Sequence, residues 1–159
     1  MRPFDETNLK LLRILQNDAR LSVAELARQL RRSEATIRDR IDFLQSKGII
    51  RNYYADVDFE KVGVGASIVV RASIDMREVP RLKAELAKLP HVVAASVLSG
   101  QRPIRIRLAG RSMSELQEVV TKRLTPLGLQ DIDIRVVLNT IVPQRPADLA
   151  LLDETKNGA

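Results

Sequence analysis

Five arginines stand within thirteen residues, at Arg28, Arg31, Arg32, Arg38 and Arg40, with Ser33, Glu34, Ala35, Thr36 and Asp39 among them. A guanidinium offers a planar fork of N–H donors, which matches a guanine edge or a phosphate, and hydroxyls serve either base edges or phosphates. Arg38, Thr36 and Ser33 fit the base-reading part of that chemistry. Arg28, Arg31, Arg32 and Arg40 suit phosphates, which set register without reading sequence. Ser22 and Ser33 each stand where a helix would begin, and the free N–H groups of a helix start can also take a phosphate. Asp39 and Asp42 argue against an indiscriminate phosphate-gripping surface, although an acid can accept from cytosine.

Such side chains need a helix that is held down on one side. SEATIRDRIDFLQSK (33–47) provides it, with Ser33 as cap, Glu34 in the first turn and Ile37, Ile41 and Leu44 as the apolar stripe. At about 100° per residue, Ala35, Asp39 and Asp42 fall on the opposite side, flanked by Thr36, Arg38 and Phe43. Phe43 stands off the stripe and is expected to pack on the linker. Gly48 occupies the place of a left-handed C-terminal cap. Two helices precede this one. DETNLKLLRILQND (5–18) repeats Leu9, Leu12 and Leu15 at helical spacing, with Leu11 and Ile14 widening the stripe. LSVAELARQL (21–30) opens on a Ser22-x-x-Glu25 capping box. Only Arg31 and Arg32 separate the second helix from the third helix's cap, a helix-turn-helix spacing that lets the third helix enter a major groove.

After Gly48 the period changes. IIRNYYADVD (49–58) reads as extended, GASIVVRASID (65–75) as a strand, EVPRLKAELAKL (78–89) as a helix, and HVVAASVLSG (91–100) and PIRIRLAG (103–110) as strands. SMSELQEVVTKRL (112–124) opens on a second S-x-x-E box, and DIDIRVVLNTIV (131–142) is a last strand. The order β-α-β-β-α-β is ferredoxin-like. The expected fold is therefore α+β, an N-terminal three-helix (winged) helix-turn-helix followed by a C-terminal ferredoxin-like domain. Its boundaries are 1–52 for the helical domain, 53–64 for a linker strand, 65–142 for the second domain and 143–159 for a tail. Within the tail, ADLALLDE is at most a short helical turn.

Composition excludes much else. The chain has 159 residues and no cysteine, so neither a disulfide framework nor a cysteine zinc site is available. His91 is the only histidine, which leaves no histidine cluster for a metal or haem. Neither paired carboxylates, a nucleophile–base set nor a glycine-rich phosphate loop is present. No catalytic residue, metal or cofactor is expected. The net charge is +6, and residues 1–52 hold 11 basic against 7 acidic residues, so most of the excess lies in the first third. Neither a membrane-spanning run nor a signal peptide is legible, and the reading is of a soluble, cytoplasmic protein.

The segment DETNLKLLRILQNDARLSVAELARQL…S…RIDFLQSKGIIRNYYADVD resembles the DNA-binding half of the Lrp/AsnC (feast/famine) transcription regulators. The βαββαβ half resembles their regulatory domain, with GVGASIVVRASI as its opening strand and an LPHV before the second strand. The resemblance spans residues 4–142. It implies a homodimer made through the second-domain sheets and commonly built up to tetramers or octamers. It also implies an amino-acid-like small-molecule effector held in clefts between dimers. Two-fold pairing would place two reading helices about one DNA turn apart on a near-palindromic double-stranded site. Carried over by position, the effector residues are Ser99, Gly100, Gln101 and Arg102 in the turn after the second strand, and Thr140 near the end of the last.

The chain departs from the family twice. Arg31 stands where the turn usually has glycine, so either the turn changes shape or an arginine takes a positive φ at about 1 kcal/mol. The turn Ser99-Gly100-Gln101-Arg102-Pro103 lacks the usual acid and aromatic, and Arg102, Arg105 and Arg107 would make it electropositive. That leaves open an acidic ligand, an unusual pose, no ligand, or arginines paired with acids across a subunit interface. Three other readings of the whole chain also stand: a bundle with a merely solvated basic face, an architectural protein that coats DNA, and, remotely, a sirohaem-decarboxylase-like enzyme.

Overall fold

The computed structural model describes residues 5–142 and Leu149. The chain divides into two compact units, one built on the residues up to Ala55 and the other on Asp56–Val142.

The first unit is three helices, α1 (Glu6–Asn17), α2 (Val23–Leu30) and α3 (Glu34–Ser46). Each begins on a side-chain cap: Asp5, Ser22 and Ser33 accept from the backbone N–H of Asn8, Glu25 and Thr36. The core is Leu11 and Leu12 of α1, Leu26 and Ala27 of α2, and Ile37 and Leu44 of α3. The inward face of α1 is therefore turned from the expected one: Leu11 is wholly buried, and next to it the polar Asn8 is 0% exposed. Apolar spacing alone cannot reveal a buried amide. Gly48 takes φ 67°, and the bonds Ile49 N–H to Leu44 O and Gly48 N–H to Gln45 O close a Schellman cap. Phe43 packs on this helical core.

Residues 51–58 take part in no ladder among the described residues. The linker strand expected over 53–64 is thus an unpaired stretch to Asp58 followed by turns to Gly63, because no strand lies alongside it within this unit.

The second unit is one sheet under two helices: β1 (Ala66–Ser73), α4 (Val79–Leu86), β2 (Val92–Val97), β3 (Ile104–Gly110), α5 (Met113–Val119) and β4 (Gln130–Val136). The order β2-β3-β1-β4, antiparallel throughout, is the ferredoxin-like arrangement. Alternation divides the faces. Ile68, Val70 and Ala72 of β1 and Ile104, Ile106 and Leu108 of β3 point into the core, where Leu82 and Leu86 of α4 and Leu116 of α5 meet them. The expected helix over 112–124 is α as far as Val119 and then widens into a π turn, Val120–Leu124, where Thr125 Oγ1 donates to Val120 O. Its S-x-x-E box is only half formed: Ser112 caps Glu115 N–H, but the Glu115 carboxylate accepts from Arg111 N–H at 2.7 Å. His91 sits just before β2 with Nε2 3.2 Å from Glu115 Oε1. β4 ends at Val136, six residues earlier than expected. Asp131, with φ 48°, lies at a register shift beside Ser73. The tail lies outside the described residues except for Leu149, which packs on the first unit's core.

Candidate nucleic-acid interface

The second and third helices are joined through a strained residue. Arg31 takes φ 51° and ψ 53°; Arg32 N–H bonds Ala27 O and Arg31 N–H bonds Arg28 O, which closes α2 with a Schellman motif normally built on glycine. Of the two options left by the sequence, the chain keeps the turn and accepts the positive φ. The side chains of Arg28, Arg31 and Arg32 are all exposed. Arg32 Nη1 donates to Arg31 O at 3.1 Å, and the Arg28 and Arg31 side chains make no hydrogen bond or ion pair among the described residues, although Arg28 lies near enough to Glu25 to act on it electrostatically.

On α3, Ala35, Arg38, Asp39 and Asp42 are exposed, while Ile37 and Leu44 are wholly buried. Those four positions follow one another at helical spacing and form the solvent stripe. Thr36 is half-buried, its hydroxyl 2.8 Å from Ser33 Oγ at the helix start. Arg38 leans on Glu34 at 3.4 Å across an exposed i,i+4 pair, a contact weak enough to yield to a better acceptor.

Two expected phosphate ligands are committed elsewhere. Arg40 Nη1 donates to both carboxylate oxygens of Asp5, at 2.8 and 2.7 Å, and to Asn8 Oδ1 at 2.8 Å. Its side chain is only 15% exposed, and these bonds fasten α3 to the start of α1. Burial pushes the Asp5 carboxyl up, but the Arg40 hydrogen bond and the Asn8 N–H outweigh it and hold the group below its ordinary value. Ser22 is likewise engaged: its hydroxyl donates to Glu25 Oε2 at 2.6 Å, and its N–H bonds the same oxygen at 2.8 Å. A carboxylate already fills the N-terminus of α2. The Ser22 hydroxyl and N–H bonds also hold Glu25 below the ordinary carboxylate range. The sequence reading missed Asp5 and Asn8 as the anchors of α3; the one available signal was a polar Asn8 placed on an apolar face.

In the second unit the turn Ser99–Arg102 is exposed, and Gly100 has φ 103°, a conformation its lack of a side chain permits. Leu98 N–H to Pro103 O closes the hairpin at 2.7 Å. Thr140 is exposed and lies four residues beyond the end of β4, so it is not a strand residue. An apolar groove of about 360 Å³ runs between α4 and β2, lined by Leu82, Leu86, Ala95 and Val97 among others, but none of the five expected effector residues lines it. Among the described residues, no group of three or more His, Asp or Glu could hold a metal, and no helix is long and apolar enough to cross a membrane.

Residues 4–51 match the winged helix-turn-helix DNA-binding family model, and residues 67–147 match the Lrp/AsnC ligand binding domain. The chain is 27% identical over 118 residues to the HTH-type transcriptional regulator LrpC of Bacillus subtilis (strain 168), covering 74% of this chain and 82% of that protein. It is 30% identical over 120 residues to an HTH-type transcriptional regulator of Pyrococcus furiosus, covering 76% and 81%. Among solved structures, the Neisseria meningitidis regulator NMB0573 in its L-Met complex superimposes with a TM-score of 0.81 at 27% identity, over 94% of this chain and 99% of that one. AsnC of E. coli superimposes with a TM-score of 0.78 at 26% identity, over 90% and 97%. These proteins are transcriptional regulators or AsnC itself, not enzymes. With a winged helix-turn-helix in the first unit and a ligand-binding fold in the second, this chain belongs to the Lrp/AsnC family of helix-turn-helix transcription regulators.

Proposed function

We propose that this regulator works in the cytoplasm as a homodimer or a higher assembly and reads a near-palindromic double-stranded DNA site. An amino-acid-like small-molecule effector modulates it. One observation carries the DNA part: the stripe Ala35, Arg38, Asp39 and Asp42 is exposed on a helix whose opposite side is buried and tied to α1 through Arg40. A helix so fixed can present a constant pattern to base edges. In this reading Arg38, with Ser33 and Thr36 at the helix start, contacts bases, and Glu34 parks the Arg38 fork until a base replaces it. Arg28, Arg31 and Arg32 contact phosphates on either side of the groove.

The effector part is supported by the Lrp/AsnC ligand-binding fold of residues 67–147 and by the L-Met complex of the Neisseria relative. The turn Ser99–Arg102 is the part of the chain assigned to it.

The test is DNA binding to the region upstream of this protein's own gene, compared with random DNA of equal length across a salt series. A preference of at least ~10³-fold that persists as salt rises establishes sequence reading. Equal affinities that collapse together would leave charge alone at work and favour a DNA-coating role.

A further inference from the structure

A groove of about 430 Å³ lies between α5 and the chain that leaves α4. Its deepest lining residues are apolar: Leu89 is 8% exposed and Val119 is 7% exposed. The walls are charged, with His91, Glu115, Glu118, Lys122, Arg123 and Lys88 around the opening. His91 leads into β2, whereas the Ser99–Arg102 turn follows it. A strand of 6 residues therefore separates the two places, roughly 20 Å at the usual rise of a strand.

The acids of this groove are already engaged. Glu115 accepts from Arg111 N–H at 2.7 Å and lies 3.2 Å from His91 Nε2, and these two contacts hold its carboxyl below the ordinary range. Glu118 accepts from Lys122 Nζ at 2.8 Å. Lys88 donates to Glu85 at 2.7 Å. Arg123 differs from the other two cations. Its exposed side chain makes no hydrogen bond or ion pair among the described residues, and it acts on Glu85 only electrostatically. Arg123 and Lys122 are carried by the π turn Val120–Leu124 that ends α5. Turns of that kind are rare, and they are frequent at functional sites.

We propose that this groove binds a small aliphatic carboxylate, held by the Arg123 fork with Lys122 beside it and with its tail laid on Leu89 and Val119. A guanidinium receives a carboxylate through two parallel N–H···O bonds, and a short tail gains by leaving water for the apolar floor. The engaged acids decide the charge of the ligand. With Glu115 and Glu118 both spent, an ammonium group would meet mainly cations, so a carboxylate without an amine fits better than an amino acid. That occupancy is regulatory rests on the effector role proposed above; the binding event itself stands apart from it and from DNA recognition.

The test is methyl NMR of the full chain, labelled at Leu and Val and titrated with 3-methylbutanoate at a constant ionic strength of about 0.15 M. Saturable shifts of the Leu89 and Val119 methyls are expected. 3-Methylbutan-1-amine, of the same shape and opposite charge, should leave those methyls in place. Acetate, which lacks the tail, should bind about tenfold more weakly or worse. Arg123→Gln should weaken 3-methylbutanoate by about tenfold or more. Glu118→Gln should strengthen it, because an acid is removed and Lys122 released; a gain of affinity separates recognition from misfolding. Arg102→Gln, in the hairpin turn, should change nothing. Absence of saturable shifts at these methyls overturns the proposal, as does equal binding of the amine or weaker binding in Glu118→Gln. Binding lost in Arg102→Gln and kept in Arg123→Gln also overturns it, by placing the ligand in the turn. Failure of free leucine to shift the Leu98 methyls, with the 3-methylbutanoate shifts intact, would sink the hairpin effector assignment and leave this site standing.

Discussion

Arg40 Nη1 lies 2.7 Å from Asp5 Oδ2 and 2.8 Å from Asn8 Oδ1, so one guanidinium on α3 bonds both the cap of α1 and that helix's buried first turn. Asp5→Asn should cost the helical domain about 2 kcal/mol, because it strands a charge with little access to water. Urea unfolding of the full chain, followed by circular dichroism, measures it. Affinity for every DNA sequence should fall with it, since the reading helix loses its anchor.

The same pair makes acid sensitivity specific. The folded pKa of Asp5 lies below the ordinary carboxylate value. Its contribution to stability is therefore complete above the unfolded pKa and disappears as pH falls through the lower, folded one. Stability measured from pH 6 down to pH 2 should drop more steeply below pH ~4 in the parent than in Asp5→Asn. Parallel curves would show that the pair contributes nothing to acid unfolding.

Arg38→Ala should cost about 1–3 kcal/mol against the preferred site and far less against random DNA, so the ratio of affinities shrinks. Competition binding with the two DNAs in one tube reads that ratio directly.

Arg28→Gln and Arg32→Gln should behave differently. Each should weaken binding to all sequences alike and reduce the slope of log K against log salt by about 1. A change in sequence preference from either variant would move that residue from phosphate to base.

Gly110→Ala tests how closely β3 meets α5. A Cβ at Gly110 would lie 2.8 Å from Leu116 Cδ2 and 3.1 Å from Cγ, and Leu116 is wholly buried. Overpacking of that kind costs about 1–3 kcal/mol, seen as a lowered urea midpoint of the regulatory domain with DNA contacts untouched.

Much of this molecule was legible in the residues because its signals are local. Ser22 with Glu25, Ser33, and Gly48 mark helix ends within a few positions of themselves, and the alternation Ile104, Ile106, Leu108 against Arg105, Arg107 marks a strand with one wet face. Long-range chemistry was not legible. The partnership of Arg40 with Asp5 spans 35 positions, and no count of charges distinguishes a phosphate ligand from an internal tie. The same holds for Arg105 and Arg107, which looked like ornaments of the nearby turn until the register placed Arg71 beside them. The β-branched residues after Val136 extended the expectation beyond the ladder, whose last rung is Ile68 with Val136 and whose last bond is Val137 N–H to Ser67 O.

The left-handed Arg31 sets two kinds of selection against each other. Replacing it with glycine would relieve the backbone and raise the melting temperature, so a screen for robustness would favour the change. Under the proposed phosphate contact, a screen for occupancy of the operator would reject it, since the glycine has nothing to reach a phosphate with. In the proposed reading, arginine at this turn gives up some folding stability for a grip on DNA.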